Sequence, residues 1–190
     1  MTDTALWVAE TAAVVLAVAY LVLAIRQNIY CWLAAFASAC LYTGLFAAVR
    51  LYMESALQVF YAGMAVYGWY QWRFGGADHT GVRINVWSVR RHAVVLAGIS
   101  GASLLLGWGM SQTDAAFPYA DSFTTVAAIV TTYMVARKVL ENWAYWFVID
   151  SISVYLYAAR ELYLTAVLFV FYLLLIVVGF RTWWREYRDE

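Results

Sequence analysis

Residues 51–72 read LYMESALQVFYAGMAVYGWYQW, and residues 162–183 read LYLTAVLFVFYLLLIVVGFRTW. The two stretches align without a gap. They share Leu51/Leu162, Tyr52/Tyr163, Leu57/Leu168, Val59/Val170, Phe60/Phe171, Tyr61/Tyr172, Val66/Val177, Gly68/Gly179 and Trp72/Trp183. Apolar similarity by chance rarely matches Tyr, Gly and Trp together. The chain is therefore predicted to contain an internal repeat.

A weaker sequence similarity is present upstream of each copy of the repeat. Asn28-x3-Trp32 aligns with Asn142-x3-Trp146, and Ser38-x2-Leu41-Tyr42 aligns with Ser153-x2-Leu156-Tyr157. We therefore expect two copies of a three-helix unit that flank a central stretch, an arrangement found in many solute carriers.

The composition indicates the class of protein. Hydrophobic residues make up 65% of the chain and charged residues 13%, and the mean hydropathy is +0.70. This leaves too little polar surface to cover a water-soluble globule. Continuous apolar runs, each near the length that crosses a hydrocarbon core of about 30 Å, lie near 6–25, 31–49, 53–72, 92–110, 122–136, 142–158 and 162–181.

The runs are continuous and do not alternate in polarity, which favours helices over barrel strands. We predict an all-α membrane protein with seven transmembrane helices, arranged 3+1+3 as two parallel three-helix repeats. The expected division is 1–73 for the first repeat, 74–118 for a cytoplasmic loop, connector helix 4 and an outer loop, and 119–190 for the second repeat. Pro118 is expected between helices 4 and 5.

Charge placement predicts the orientation in the membrane. Ten of the twelve Lys and Arg residues lie in loops 1–2, 3–4 and 5–6 and the C-terminal tail, and Arg50 and Arg160 lie on the other side. Because basic residues favour the cytoplasmic side, the N-terminus is expected outside the cytoplasm and the C-terminus inside. The first helix carries Glu10 and lacks a cleavage site, so we expect a retained span and not a signal peptide.

No sequence motif indicates catalysis. The chain has no P-loop, zinc signature, nucleophile elbow or dinucleotide fingerprint. Cys31 and Cys40 are interpreted as packed thiols, and His79 and His92 as solvated residues of the loop between helices 3 and 4. We therefore expect no enzyme activity, cofactor or metal. The expected partners are a small molecule and the lipid bilayer, not nucleic acid, and a homo-oligomer is left open.

Polar residues within the spans are the candidates for function. Asn142, Trp146, Asp150, Ser153 and Tyr157 follow helical spacing and share one face of helix 6. A carboxylate at mid-helix costs about 2.5–3.5 kcal/mol on insertion scales, so Asp150 is expected to face the bundle interior or a water-filled cavity. The alternative is a protonated or hydrogen-bonded Asp that packs one helix on another.

Helix 3 carries a similar stripe of Glu54, Gln58, Tyr61, Trp69 and Trp72, in which Glu54 is either functional or an interfacial charge. Tryptophans at helix ends are common in membrane proteins. Aromatic walls beside a buried carboxylate nevertheless suit a flat, positively charged heterocycle. The candidate substrate-binding residues are Gln58, Tyr61, Trp69, Trp72, Asn142, Trp143, Trp146 and Asp150.

Several motifs together resemble the PnuC-type family of bacterial vitamin transporters. They are Leu51-Tyr52-x2-Ser55-x-Leu57-Gln58-Val59-Phe60-Tyr61, Tyr67-Gly68-Trp69-Tyr70-Gln71-Trp72, Phe117-Pro118-x2-Asp121-Ser122, Arg137-Lys138-x2-Glu141-Asn142-Trp143 and the helix from Leu162-Tyr163. The resemblance implies a SWEET-like 3+1+3 fold in the bacterial inner membrane. It also implies transport of nicotinamide riboside by facilitated diffusion, with trapping by intracellular phosphorylation.

Two alternatives follow from the polar residues. Some nicotinamide riboside carriers of the family have Asn where this chain has Asp150, and a carboxylate can also pair with an aminopyrimidine, so a thiamine transporter of the same family remains open. A proton- or sodium-coupled vitamin carrier that uses Glu54 or Asp150 is the other alternative.

Overall fold

The computed structural model describes residues 3–48, 52–113, 115–159 and 161–189. Within these residues the chain forms seven helices and one isolated β-bridge, between Asn85 and Val139. The helices are α1 (Asp3–Ile25), α2 (Tyr30–Ala48), α3 (Tyr52–Phe74), α4 (Val89–Met110), α5 (Pro118–Ala136), α6 (Asn142–Ala159) and α7 (Tyr163–Asp189). The all-helical fold is thus confirmed. The side chain of Glu54 lies outside the described residues.

Pro118 differs from its expected position between helices. It is the first residue of α5. Proline is tolerated there because the first amides of a helix have no partner within the helix, and its fixed φ suits the helical turn.

Four helical segments among the described residues are long and apolar enough to cross a membrane: Trp7–Ile25, Tyr30–Ala48, Val89–Met110 and Thr165–Asp189. Helices α3, α5 and α6 are not among these four, and amide, hydroxyl and carboxyl side chains such as Gln58, Thr131 and Asp150 lie along them. Two of them, α3 and α6, are the helices that hold the candidate substrate residues. The number of membrane crossings, seven, stays a prediction.

The chain divides into two compact units, Met1–Arg83 and Ile84–Glu190. In the first unit, α2 packs against both α1 and α3. In the second unit, α4 packs on α5, and α6 packs against both α5 and α7. Each triplet of α1–α3 and α5–α7 therefore has its middle helix at its centre. The threefold domain division remains a prediction.

The turn that ends α1 recurs at the end of α5. Gln27 has φ 51° and Lys138 has φ 48°, so a residue in the left-handed region lies two positions after the last residue of each helix. The amide-to-carbonyl hydrogen bonds Arg26–Val22, Gln27–Ala24 and Asn28–Leu23 reappear 111 residues later as Arg137–Tyr133, Lys138–Val135 and Val139–Met134. The two turns thus have the same backbone structure.

An indole packed on a glycine also occurs in both units. In the first unit, Trp32 of α2 makes an edge contact with Trp72 of α3, with ring centroids 5.5 Å apart at 88°. In the second unit, Trp143 and Trp183 make the same contact at 5.4 Å and 89°. A Cβ atom at Gly68 would overlap the ring of Trp32. A Cβ atom at Gly179 would likewise overlap the ring of Trp143.

These contacts correct the alignment of the weaker sequence similarity upstream of each copy. The structural counterpart of Trp32 is Trp143 and not Trp146, because a constant spacing of 111 residues relates the turns, the indole pairs and the glycines without a gap. The same register makes Asn142 the counterpart of Cys31. It also makes Asp150 the counterpart of Ala39.

Candidate functional site

The eight predicted substrate residues lie on two helices, one in each unit. Gln58, Tyr61, Trp69 and Trp72 are in α3 of the first unit, and Asn142, Trp143, Trp146 and Asp150 are in α6 of the second. Each group is described within its own unit.

The residues of α3 differ in their exposure. Gln58 and Tyr61 are half-buried, Trp69 is 44% exposed, and Trp72 is buried. Trp69 makes an edge contact with Phe74 and lines a cavity of about 210 Å³ between α2 and α3. The predicted stripe therefore contains one tryptophan that is accessible and one that packs in the unit's interior.

Trp72 and Trp143 belong to the repeated tryptophan pairs. Both are buried, at 7% and 3% exposure, and each packs edge-on against the other tryptophan of its pair. The indole nitrogen of Trp143 is buried and has no hydrogen-bond partner among the described residues. Both residues thus have a packing role, and their part in substrate binding remains a prediction.

Asn142 begins α6 and is fully buried. Its Nδ2 donates to the carbonyl of Val139 at 2.7 Å, while its Oδ1 is buried without a hydrogen-bond partner in the described part of the chain. The equivalent residue Cys31 is also fully buried. The amide therefore adds a polar atom at a position where the other unit has a thiol.

Asp150 is the charged candidate, and it is only 6% exposed. Across the described residues, its carboxylate accepts no hydrogen bond and pairs with no cation. The nearby hydroxyl of Ser153 donates to the carbonyl of Ile149 at 3.0 Å instead. The alternative was a hydrogen-bonded Asp150 that packs one helix on another. No hydrogen-bond partner for Asp150 is present among these residues.

The counterpart of Asp150 in the first unit is apolar. Ala39 is 3% exposed at the equivalent position. A carboxylate buried in a membrane helix is costly, and the role of Asp150 in substrate binding remains a prediction.

Trp146 lies one turn from Asp150 on α6. It is half-buried and packs against the apolar cluster of Ile99, Ala127 and Ile149. Part of its indole surface thus remains accessible near the buried carboxylate.

A polar cluster at the start of α4 was missed from the sequence. His92 was expected in a solvated loop, but it lies in α4 and is half-buried because its ring contacts α6. Its Nδ1 is 2.9 Å from the hydroxyl of Tyr145, and its Nε2 is 3.6 Å from Oε1 of Glu141. The spacing of Glu141 and Tyr145, one helical turn apart, was the available signal. His79 is exposed, as expected.

The described residues include no group of three or more His, Cys, Asp or Glu side chains that could hold a metal ion. The chemistry available to the candidate site is therefore that of aromatic rings, amides and one carboxylate.

A family model described as nicotinamide mononucleotide transporter matches residues 7–185. The riboflavin/roseoflavin transporter RibM of Streptomyces davaonensis is 29% identical and covers 90% of this chain and 82% of its own length. The nicotinamide riboside transporter PnuC of Escherichia coli is 26% identical, over 77% of this chain and 72% of its own. The crystal structure of a vitamin B3 transporter PnuC superposes with a TM-score of 0.71 and 23% identity, covering 96% of this chain and 82% of that one.

Proposed function

The chain belongs to the nicotinamide mononucleotide transporter family, and on that premise we propose that it carries nicotinamide riboside across the bacterial inner membrane. The membership confirms the PnuC-type resemblance and identifies a multi-pass membrane transporter that is not an enzyme. The proposed architecture is the 3+1+3 arrangement, with the N-terminus outside and the C-terminus in the cytoplasm.

The buried carboxylate of Asp150 supports a cationic substrate. Its carboxylate is buried and has no partner among the described residues, so it is available to a ligand. The nicotinamide ring of nicotinamide riboside carries a positive charge, which a carboxylate would balance in a site of low dielectric constant. In this proposal Trp146, one turn from Asp150 on α6, supplies a stacking surface. The substrate roles of Gln58, Tyr61 and Trp69 stay predictions from the sequence.

Riboflavin is the second candidate. The RibM relative has the higher identity of the two transporters compared and covers more of both chains. Riboflavin is uncharged, so its binding would not require a counter-ion. Thiamine is cationic and would depend on Asp150 in the same way as nicotinamide riboside.

Titration calorimetry of the purified protein with all three vitamins tests the proposal. We expect nicotinamide riboside to bind most tightly, and Asp150→Ala to weaken its binding about 10- to 100-fold, the loss expected for a charge-assisted contact. Asp121→Ala, which removes an exposed carboxylate from the first turn of α5, is the matched control and should bind normally.

The same variants separate a substrate role from a structural one. Because Ala39 fills the equivalent buried position, Asp150→Ala should unfold at or above the wild-type temperature in detergent. Unchanged binding of nicotinamide riboside to Asp150→Ala would contradict its role. Tight binding of riboflavin that Asp150→Ala leaves intact would instead support the second candidate.

We further propose facilitated diffusion, with the substrate trapped by phosphorylation in the cytoplasm. Vesicles that contain the purified protein should exchange labelled for unlabelled substrate without ATP, voltage or a pH gradient. A buried carboxyl such as Asp150 is also a group that ion-coupled carriers use. Accumulation above the external concentration, driven by an imposed proton or sodium gradient, would favour the coupled alternative.

A further inference from the structure

A cavity of about 370 Å³ lies between α4, α5 and α6 of the second unit. We call it the α4–α6 pocket. Its wall is apolar and includes Leu96, Ile99, Phe123 and Val148. This volume is in the range of about 300–1,000 Å³ that is usual for ligand sites. Leu96 and Val148 are about half exposed, so the pocket opens on an apolar outer surface of a membrane-spanning helix.

The polar groups of the α4–α6 pocket are all at one end. His92, Tyr145 and Glu141 contact one another there, as described above. The backbone amide of Trp87 donates to both carboxylate oxygens of Glu141, at 3.3 and 3.4 Å. The carboxylate at the rim is therefore held by one amide donor from the segment before α4, and Nε2 of His92 lies 3.6 Å away.

One basic side chain lies next to this rim. The guanidinium carbon of Arg91 is 4.2 Å from the centre of the Trp87 ring, and the Trp87 ring is 5.7 Å from the ring of His92. Arg91 is exposed. An apolar cavity with an exposed arginine beside its polar end matches an amphiphile with an anionic head and an apolar tail.

We propose that the α4–α6 pocket binds an anionic glycerophospholipid, with one acyl chain in the cavity and the phosphate at Arg91. Three observations select this occupant. The wall has the chemistry of a hydrocarbon chain, the pocket opens on an exposed apolar surface of α4, and the exposed guanidinium of Arg91 lies beside the polar rim. None of the proposed substrate residues of the second unit lines the pocket, and Trp146 packs against the cluster that contains Ile149, which does.

Lipid retention tests the proposal. The protein would be reconstituted in nanodiscs with equal amounts of phosphatidylglycerol and phosphatidylcholine, extracted into mild detergent, and examined by native mass spectrometry. We expect wild type to retain about one phosphatidylglycerol per chain. Ala144→Phe, which fills the pocket from an exposed lining position, should lose it. Ala97→Phe, at an exposed position of α4 outside the lining, is the control.

The head group is tested separately. Arg91→Gln should reduce the preference for phosphatidylglycerol about fivefold, the factor expected for one basic residue near an anionic surface. Arg185→Gln, on the exposed end of α7, should leave the preference unchanged. Equal retention of both lipids by wild type would overturn the proposal. So would full retention by Ala144→Phe, or a change in oligomeric mass in Ala144→Phe without lipid loss, which would make this face a contact between copies.

Discussion

Asp150 and Ala39 occupy equivalent buried positions, and only one of them carries a charge. The internal repeat thus distinguishes residues that both units share from residues that only one unit has. Side chains present in both units, such as the paired tryptophans and their glycines, are explained by packing. Asn142 and Asp150 occur in the second unit alone and remain candidates for function.

The two glycines that contact the tryptophans should not tolerate a larger side chain. Gly68→Ala and Gly179→Ala should each destabilise the protein by about 1–3 kcal/mol, because the new methyl group would force the indole out of its position. Thermal unfolding in detergent should show a lower transition temperature. Gly63→Ala and Gly98→Ala are matched controls, since a Cβ atom there would meet no other atom within 4 Å. Equal melting of all four variants would contradict the packing role.

At the scale of elements, the segment before α4 is attached to the turn between α5 and α6. The amide of Asn85 donates to the carbonyl of Lys138 at 3.0 Å, and the amide of Leu140 donates to the carbonyl of Asn85 at 2.8 Å. The side chain of Asn85 adds a bond to the carbonyl of Arg137 at 2.7 Å. These bonds, with the carboxylate of Glu141, hold residues 85–87 against this turn, and Ser88 then caps α4 by accepting from the amide of Arg91.

Removing that carboxylate should loosen the start of α4. We expect Glu141→Ala to increase hydrogen exchange of the backbone amides in residues 85–92, because the amide of Trp87 loses its acceptor. Hydrogen–deuterium exchange with mass spectrometry measures this directly. Glu186→Ala, at an exposed position of α7, should leave the segment as in wild type. Exchange that is the same in both variants would show that the backbone bonds of Asn85 suffice.

For the whole molecule, the charge distribution predicts the orientation in the membrane. Ten of twelve Lys and Arg residues lie on the side assigned to the cytoplasm. Asp78 follows α3, Gln112 follows α4, and both are exposed. The proposed topology places these two positions on opposite sides of the bilayer.

Cysteine labelling checks this topology. In a Cys40→Ser background, which removes the exposed thiol and leaves the buried Cys31, Gln112→Cys should react with an impermeant maleimide added to intact cells. Asp78→Cys should react only after the membrane is opened. The reverse pattern would invert the orientation, and labelling of both from outside would show that the number of crossings is wrong.

The sequence by itself determined the helical class, the number of helices, the repeat and the family. Each of these depends on local hydropathy or on the order of motifs along the chain, which folding does not change. It also identified Asp150, since a carboxylate in an apolar run is conspicuous without a structure.

Only the tertiary structure decided which residues are equivalent and which are paired. Trp143 and Trp146 are both plausible partners for Trp32 in sequence, and only contact with Gly179 and Trp183 distinguishes them. Helical spacing relates Glu141 to Tyr145, but it could not place His92 beside them, because His92 is far away in the chain. Periodicity shows which face of a helix is buried, whereas the partner on that face depends on how the helices pack.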